Sequence, residues 1–86
     1  MKADHKTVSR LVSNARGQLD AVLRMIEEDR YCMDISQQLL AVDALVRRAN
    51  KEVLTAHLKH CVEQADTPQE RAQKVDELVA ALGKLL

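Results

Sequence analysis

The 86-residue sequence contains no tryptophan and no phenylalanine, and Tyr31 is its one aromatic residue. A core built around large rings is therefore excluded. Two glycines and one proline leave few breaks in the chain, and two cysteines are too few for the crosslinked framework of a small secreted domain. In a reducing compartment such cysteines serve as metal ligands or redox sensors. Net charge is also missing, with 13 Lys and Arg against 13 Asp and Glu. Neutrality argues against a uniformly basic nucleic-acid binder and leaves room for a local basic patch. No apolar run approaches the roughly 18 residues needed to cross a bilayer, and Met1 to Lys6 lacks the apolar core of a signal peptide. These absences predict a cytoplasmic chain with no membrane partner. So short a chain is expected to form one domain, residues 1–86, without the deep cleft of a large enzyme.

What remains is rich in Ala, Leu, Val, Glu, Gln, Lys and Arg, mostly good helix formers. An all-α fold follows. Breaks fall at Glu28 to Tyr31 and at Ala65 to Pro68. At the second break Thr67 can cap a helix, Pro68 suits its first position, and Glu70 stands three residues after the cap. Three helices are predicted, near 5–28, 33–65 and 68–85. In the first, Val8, Val12, Ala15, Leu19, Val22 and Ile26 recur in alternating steps of four and three; in the second, Ile35, Leu39, Val42, Val46, Ala49, Val53 and Ala56 do the same. Both are heptad seams. A second helix of this length runs to about 50 Å, too long for a compact fold whose radius of gyration would be about 12 Å. Its seam then needs a second chain to cover it.

Cys32, His57, His60 and Cys61 carry the chemistry. His57 and Cys61 are four residues apart and project from one helix face. Cys32 lies about 37–44 Å away along the same helix, so no single chain can gather all three. An antiparallel pair of second helices can, because a two-fold axis sets the start of one beside the end of the other. Matching Ile35 with Ala56, Leu39 with Val53 and Val42 with Ala49 gives one common register, with Val46 near its own copy. That register brings Cys32 close to the partner's His57 and Cys61. Two thiolates and an imidazole are a soft set suited to Cu(I), or to Zn(II) with a fourth ligand, for which His60 is the candidate. Met25 and Met33 are read as core filling. Cys32 and Cys61 can alternatively form an interchain sulfur bridge.

Arg16-Gly17-Gln18-Leu19, Arg30-Tyr31-Cys32, the stretch from Ile35 to Asn50, and His57-Leu58-Lys59-His60-Cys61 together resemble the CsoR family of copper-sensing repressors over nearly the whole chain. The resemblance implies three-helix protomers assembled as a dimer of dimers, a trigonal Cu(I) site of Cys32, His57 and Cys61 bridging two protomers, and operator DNA bound without a helix-turn-helix. Persulfide sensors of that family keep both cysteines and lack the histidine, so His57 favours copper over sulfur chemistry. Glu77, sixteen residues after Cys61, matches a family glutamate that links the metal site to the DNA-binding surface. Tyr31 is a second candidate for that link. A copper chaperone is a candidate metal donor.

The charges are segregated in a way that fits this expectation. Lys2, Lys6, Arg10, Arg16 and Arg24 against Asp4 and Asp20 give residues 1–24 a net of +3; Arg47, Arg48, Lys51 and Lys59 against Glu52 give residues 44–60 the same. Arg48 and Lys51 align with basic positions of the family's second helix. In the first helix the matching position is Leu11, with Arg10 and Arg16 nearby as the candidates for DNA contact. The expected function is a repressor that holds operator DNA without metal and releases it on binding Cu(I). The alternatives are a persulfide-responsive repressor on the same scaffold and a copper buffer that does not touch DNA. Enzymatic function is not expected: no nucleophile is paired with a base, and no carboxylate pair sits in a cleft.

Overall fold

Asp4 begins the first helix: its carboxylate accepts the Thr7 backbone N–H at 3.0 Å and the Thr7 hydroxyl at 2.6 Å, satisfying donors that a helix start leaves open. In the computed structural model, which describes residues 1–85, α1 spans His5–Glu27, α2 spans Cys32–Gln64 and α3 spans Pro68–Leu85. The sequence boundaries agree to within one residue. The Asp4 carboxyl is held below its ordinary value, first by the Thr7 hydroxyl and then by the Thr7 N–H. A lowered carboxyl pKa contributes order above the unfolded pKa and loses it as pH falls through the folded one. Amide exchange at Thr7 is therefore expected to speed up in acid relative to its intrinsic rate, and Asp4→Asn to abolish that acid dependence while keeping the cap.

The turn between α1 and α2 is tight. Arg30 N–H donates to Met25 O at 3.0 Å and Asp29 N–H to Ile26 O at 3.1 Å, the two bonds of a Schellman closure. Asp29 occupies the left-handed residue of that closure, with φ 54°, a conformation that Asp tolerates better than most side chains. The chain reverses in four residues, which makes Cys32 the first residue of α2. At the second break Thr67 Oγ1 accepts the Glu70 N–H at 3.1 Å. Glu70 reaches back to the N–H of Asp66, one residue beyond the reciprocal partner of an ideal capping box.

α1 and α3 both pack on α2 and not on each other, among the described residues. Arg47 donates to the carbonyl of Leu85, so the end of α3 lies beside the middle of α2. The result is one layer of three helices, 57 × 25 × 12 Å, with a radius of gyration of 17.2 Å. It is as thin as a single helix. The protomer exposes 6632 Å², whereas a compact monomer of 9.7 kDa exposes about 5100 Å². The excess exceeds one partner's share of a standard protein interface, about 800 Å².

The heptads divide in a way the sequence reading did not anticipate. Leu11, Ala15 and Val22 of α1 and Val42 and Ala49 of α2 are buried, with Ile35, Val53 and Ala56 half-buried. Most of the seam assigned to a partner helix is thus already covered within the protomer, so Ile35 with Ala56 and Val42 with Ala49 are not facing pairs between chains. The reason is the short turn, which folds α1 back as the nearest apolar surface. Val12, Leu19, Leu23 and Ile26 of α1 and Leu39, Leu40 and Val46 of α2 stay exposed.

Candidate metal centre

α2 carries all three predicted ligands and holds two of them together. Cys61 Sγ lies 3.4 Å from His57 Nε2, as the i, i+4 spacing requires. His57 is exposed; Cys61 and His60 are half-buried. Cys32 is exposed at the opposite end of the same unbroken helix, roughly 37 Å from His57 at 1.5 Å per residue. Among the described residues of one chain, no group of three His, Cys, Asp or Glu side chains could hold a metal. Both sulfurs are free thiols. As donors, two thiolates and an imidazole fit a soft monovalent ion, and one chain brings only His57 and Cys61 together.

Helix geometry relates Cys32 to that pair. At about 100° per residue, Cys32, Leu39, Val46, His57 and Cys61 fall within about 60° of one another around α2. Leu39 and Val46 on that stripe are 46% and 52% exposed. Val46 stands about halfway between Cys32 and the His57–Cys61 pair. On α1, Val12, Leu19, Leu23 and Ile26 lie to one side of the line of contact with α2. For antiparallel neighbours, rotation in the same sense from that line leads to the same face of the layer. The exposed apolar side chains of α1 therefore share a face with Cys32, His57 and Cys61.

The opposite face carries cations among carboxylates. Arg10 and Arg48 are rotated the other way from the contact line, with Lys51 at the edge nearer α3. Arg16 falls instead on the ligand-bearing face, beside Leu19 and Leu23. All four are exposed and, among the described residues, none is in an ion pair. Arg47, their neighbour in sequence, differs: Asp43 holds it at 2.8 Å while it caps the end of α3 at Leu85. The sequence could not separate the structural arginine from the free one.

Tyr31 caps α2 through its backbone, and its ring is 68% exposed. Glu77 faces Lys74 at 3.9 Å, one turn along α3 from the residues nearest the ligand pair. No hydrogen bond joins Tyr31 or Glu77 to His57 in the protomer. Sequence reasoning missed a groove of about 700 Å³ beside His57 and Cys61, walled by α3 through Glu70, Gln73 and Lys74 and by Lys2 from the N-terminal segment. The 70–73–74 helical spacing was the available signal.

Residues 4–84 match the family described as metal-sensitive transcriptional repressor. The chain belongs to this family. Its members are regulators of transcription, not enzymes, in line with the sequence reading. The chain is 39% identical over 71 residues to the copper-sensing transcriptional repressor CsoR of Mycobacterium ulcerans, covering 83% of this chain and 61% of that one. It is 31% identical over 77 residues to the CsoR of Bacillus subtilis, covering 90% and 76%. The chain thus spans about three-fifths of the length of the mycobacterial relatives it matches. Among solved structures, the nickel-responsive transcriptional regulator InrS superposes with a TM-score of 0.81 over 100% of this chain and 97% of that one, at 24% identity. That likeness concerns the fold.

Proposed function

We propose that this protein is a Cu(I)-responsive repressor that holds operator DNA in the metal-free state and releases it when Cu(I) joins Cys32 of one protomer to His57 and Cys61 of another. The observation that carries this reading is the 3.4 Å Cys61–His57 pair on the same exposed stripe of α2 as Cys32, one helix length away. Antiparallel pairing of two such stripes about a two-fold axis near Val46 completes two equivalent sites. The exposed apolar face is what such a dimer buries, and a dimer of dimers is the proposed assembly. The 1–86 chain is read as one domain acting in the cytoplasm, where the DNA is.

Cys32 of one chain with His57 and Cys61 of another would hold the ion, which would supply a soft Lewis acid joining the two. Cys61 and His57 bind from one turn of α2, and Cys32 must be brought to them from the start of the partner's helix. A coordinated imidazole donates its second N–H to a fixed acceptor, for which Glu77 and the Tyr31 hydroxyl are the proposed partners. Because the two chains must shift to close the site, metal affinity differs between two arrangements of the assembly, and only one fits the operator. Couplings of this kind reach about 1–3 kcal/mol, or 5- to 150-fold in affinity.

An anaerobic Cu(I) titration of the operator complex, followed by fluorescence anisotropy, tests the reading. Release of DNA near one Cu(I) per chain is expected. Unchanged or tightened binding contradicts it, as does release by Ni(II) with no response to Cu(I). Ni(II) is the instructive control because it favours four ligands in a plane, and the donor set here has three. His57→Ala is expected to keep a two-thiolate site and lose most of the DNA response; normal release by this variant removes His57 from the coupling.

For DNA contact the proposal rests on Arg10, Arg48 and Lys51, with Arg16 as the weakest of the four candidates because it shares the face with the ligands. Arg48→Glu is expected to weaken operator binding by at least tenfold at moderate salt and to flatten the dependence of binding on salt, about one unit of slope for each phosphate no longer neutralised. Arg10→Glu should do the same more strongly than Arg16→Glu. The reverse order would place DNA on the apolar face.

A further inference from the structure

We propose that the groove between the end of α2 and the start of α3 binds a small zwitterionic thiol, an amino-acid or short-peptide thiol, and that Cu(I) is exchanged between this thiol and Cys61 there. The exchange rests on the copper reading; the binding site does not. The groove measures about 700 Å³, within the roughly 300–1,000 Å³ typical of small-molecule sites. His57 and Cys61 are in its wall, so an occupant meets the ligand pair without a second chain. His57, Cys61 and Gln64 of the wall lie on the stripe of α2 that also carries Cys32, with α3 beside it. An incoming sulfur therefore meets Cys61 before Cys32 of the other chain closes the site.

The charges of the wall select the ligand class. Lys2 and Lys74 are cations and Asp66 and Glu70 are anions, all four exposed and lining one groove. Together they are neutral, so a simple anion gains nothing overall. A molecule carrying both carboxylate and ammonium groups can satisfy both pairs at once. Glu70 uses one carboxylate oxygen, Oε2, on the Asp66 N–H and keeps the other for an ammonium. Lys2 is positioned rather than trailing, because Ala3 beside it is 6% exposed. In the exchange, a bond forms between Cys61 Sγ and Cu(I) as the bond from Cu(I) to the small thiolate breaks. The proton leaving Cys61 goes to the departing thiolate, and nothing is oxidised or reduced.

The first test uses the metal-free full chain and S-methylglutathione, whose capped sulfur forms no disulfide and exchanges no thiolate. Titration followed by ¹⁵N NMR is expected to give saturable shifts at Gln64, Asp66, Glu70 and Gln73. Lys2→Gln combined with Lys74→Gln should weaken that binding by about tenfold. Absence of saturable shifts at these residues, or equal affinity in the double variant, overturns the proposed site. The second test compares anaerobic loading rates from Cu(I)–glutathione and from Cu(I) held by a bulky aromatic chelator. The double variant should load about fivefold more slowly from the thiol complex alone. Equal slowing from both donors, or no slowing, overturns the exchange route. Failure of the unaltered protein to take up Cu(I) from either donor would refute the copper reading and the exchange with it, while the metal-free titration would still decide the groove.

Discussion

Replacing Leu39 and Val46 together by glutamate is expected to turn the assembly into separate, poorly folded chains. The two side chains are 46% and 52% exposed in the protomer, so neither substitution damages packing inside one chain. Each occurs twice across a two-fold interface, and burying a Leu or Val side chain contributes about 1.5–3 kcal/mol. Four such losses come to about 6–12 kcal/mol, as large as the whole stability of an ordinary small domain, about 5–15 kcal/mol, and glutamates brought face to face add to them. Sedimentation equilibrium at micromolar concentration should show a single chain with reduced helicity. If the double variant stays oligomeric and fully helical, the apolar face is not the interface. Val79→Glu provides a control, being 61% exposed on α3 and away from the stripe of Leu39 and Val46; it should leave the dimer intact.

Cys32→Ser carries the second large effect. Cys32 is exposed and makes no contact with His57 or Cys61 of its own chain, so the variant should fold, assemble and bind operator DNA as before. Cu(I) affinity should nevertheless fall by more than about 100-fold, since altering only the partners of metal ligands costs about 10- to 100-fold. DNA release by Cu(I) should disappear. A modest loss, comparable to that from His60→Ala, would mean that the site is built from one end of α2 alone.

The chain's ends and turns were legible in the sequence because their signals are local. Thr67, Pro68 and Glu70 marked the start of α3 to the residue, and Cys32 at the start of α2 fell one residue from the expected boundary. The pair His57 and Cys61 was legible for the same reason, since four residues along a helix is a fixed distance. The division of the heptads was not. Val12 and Leu11 are neighbours with similar side chains, yet Leu11 is buried and Val12 is 53% exposed; only the direction in which α1 folds back decides between them. Alternation of steps of three and four cannot show which of two adjacent stripes a helix will bury when both are apolar. The groove beside Cys61 was hidden because Lys2, His57 and Lys74 come from three separate segments.

The roles of the arginines depended on the same long-range information. Arg47 and Arg48 are identical by sequence, but the return of α3 places Leu85 beside Arg47 and gives it a carbonyl to cap. Arg48 points from the bare side of the layer. Neutral composition thus conceals a molecule with two unlike faces, one with exposed apolar side chains beside Cys32, His57 and Cys61 and one with Arg10 and Arg48.

The central claim is that the metal site is shared between chains, and mixing complementary variants tests it most directly. Cys32→Ser and Cys61→Ser chains are each expected to lack the three-ligand Cu(I) site. After the two are unfolded together in equal amounts and refolded, half of the dimers are mixed, and each mixed dimer regains one intact site from Cys32 of one chain and His57 with Cys61 of the other. About one site in four should therefore recover high Cu(I) affinity, measured by anaerobic competition against a chelator. A mixture that binds no more tightly than the two variants measured separately would contradict a site built across two chains.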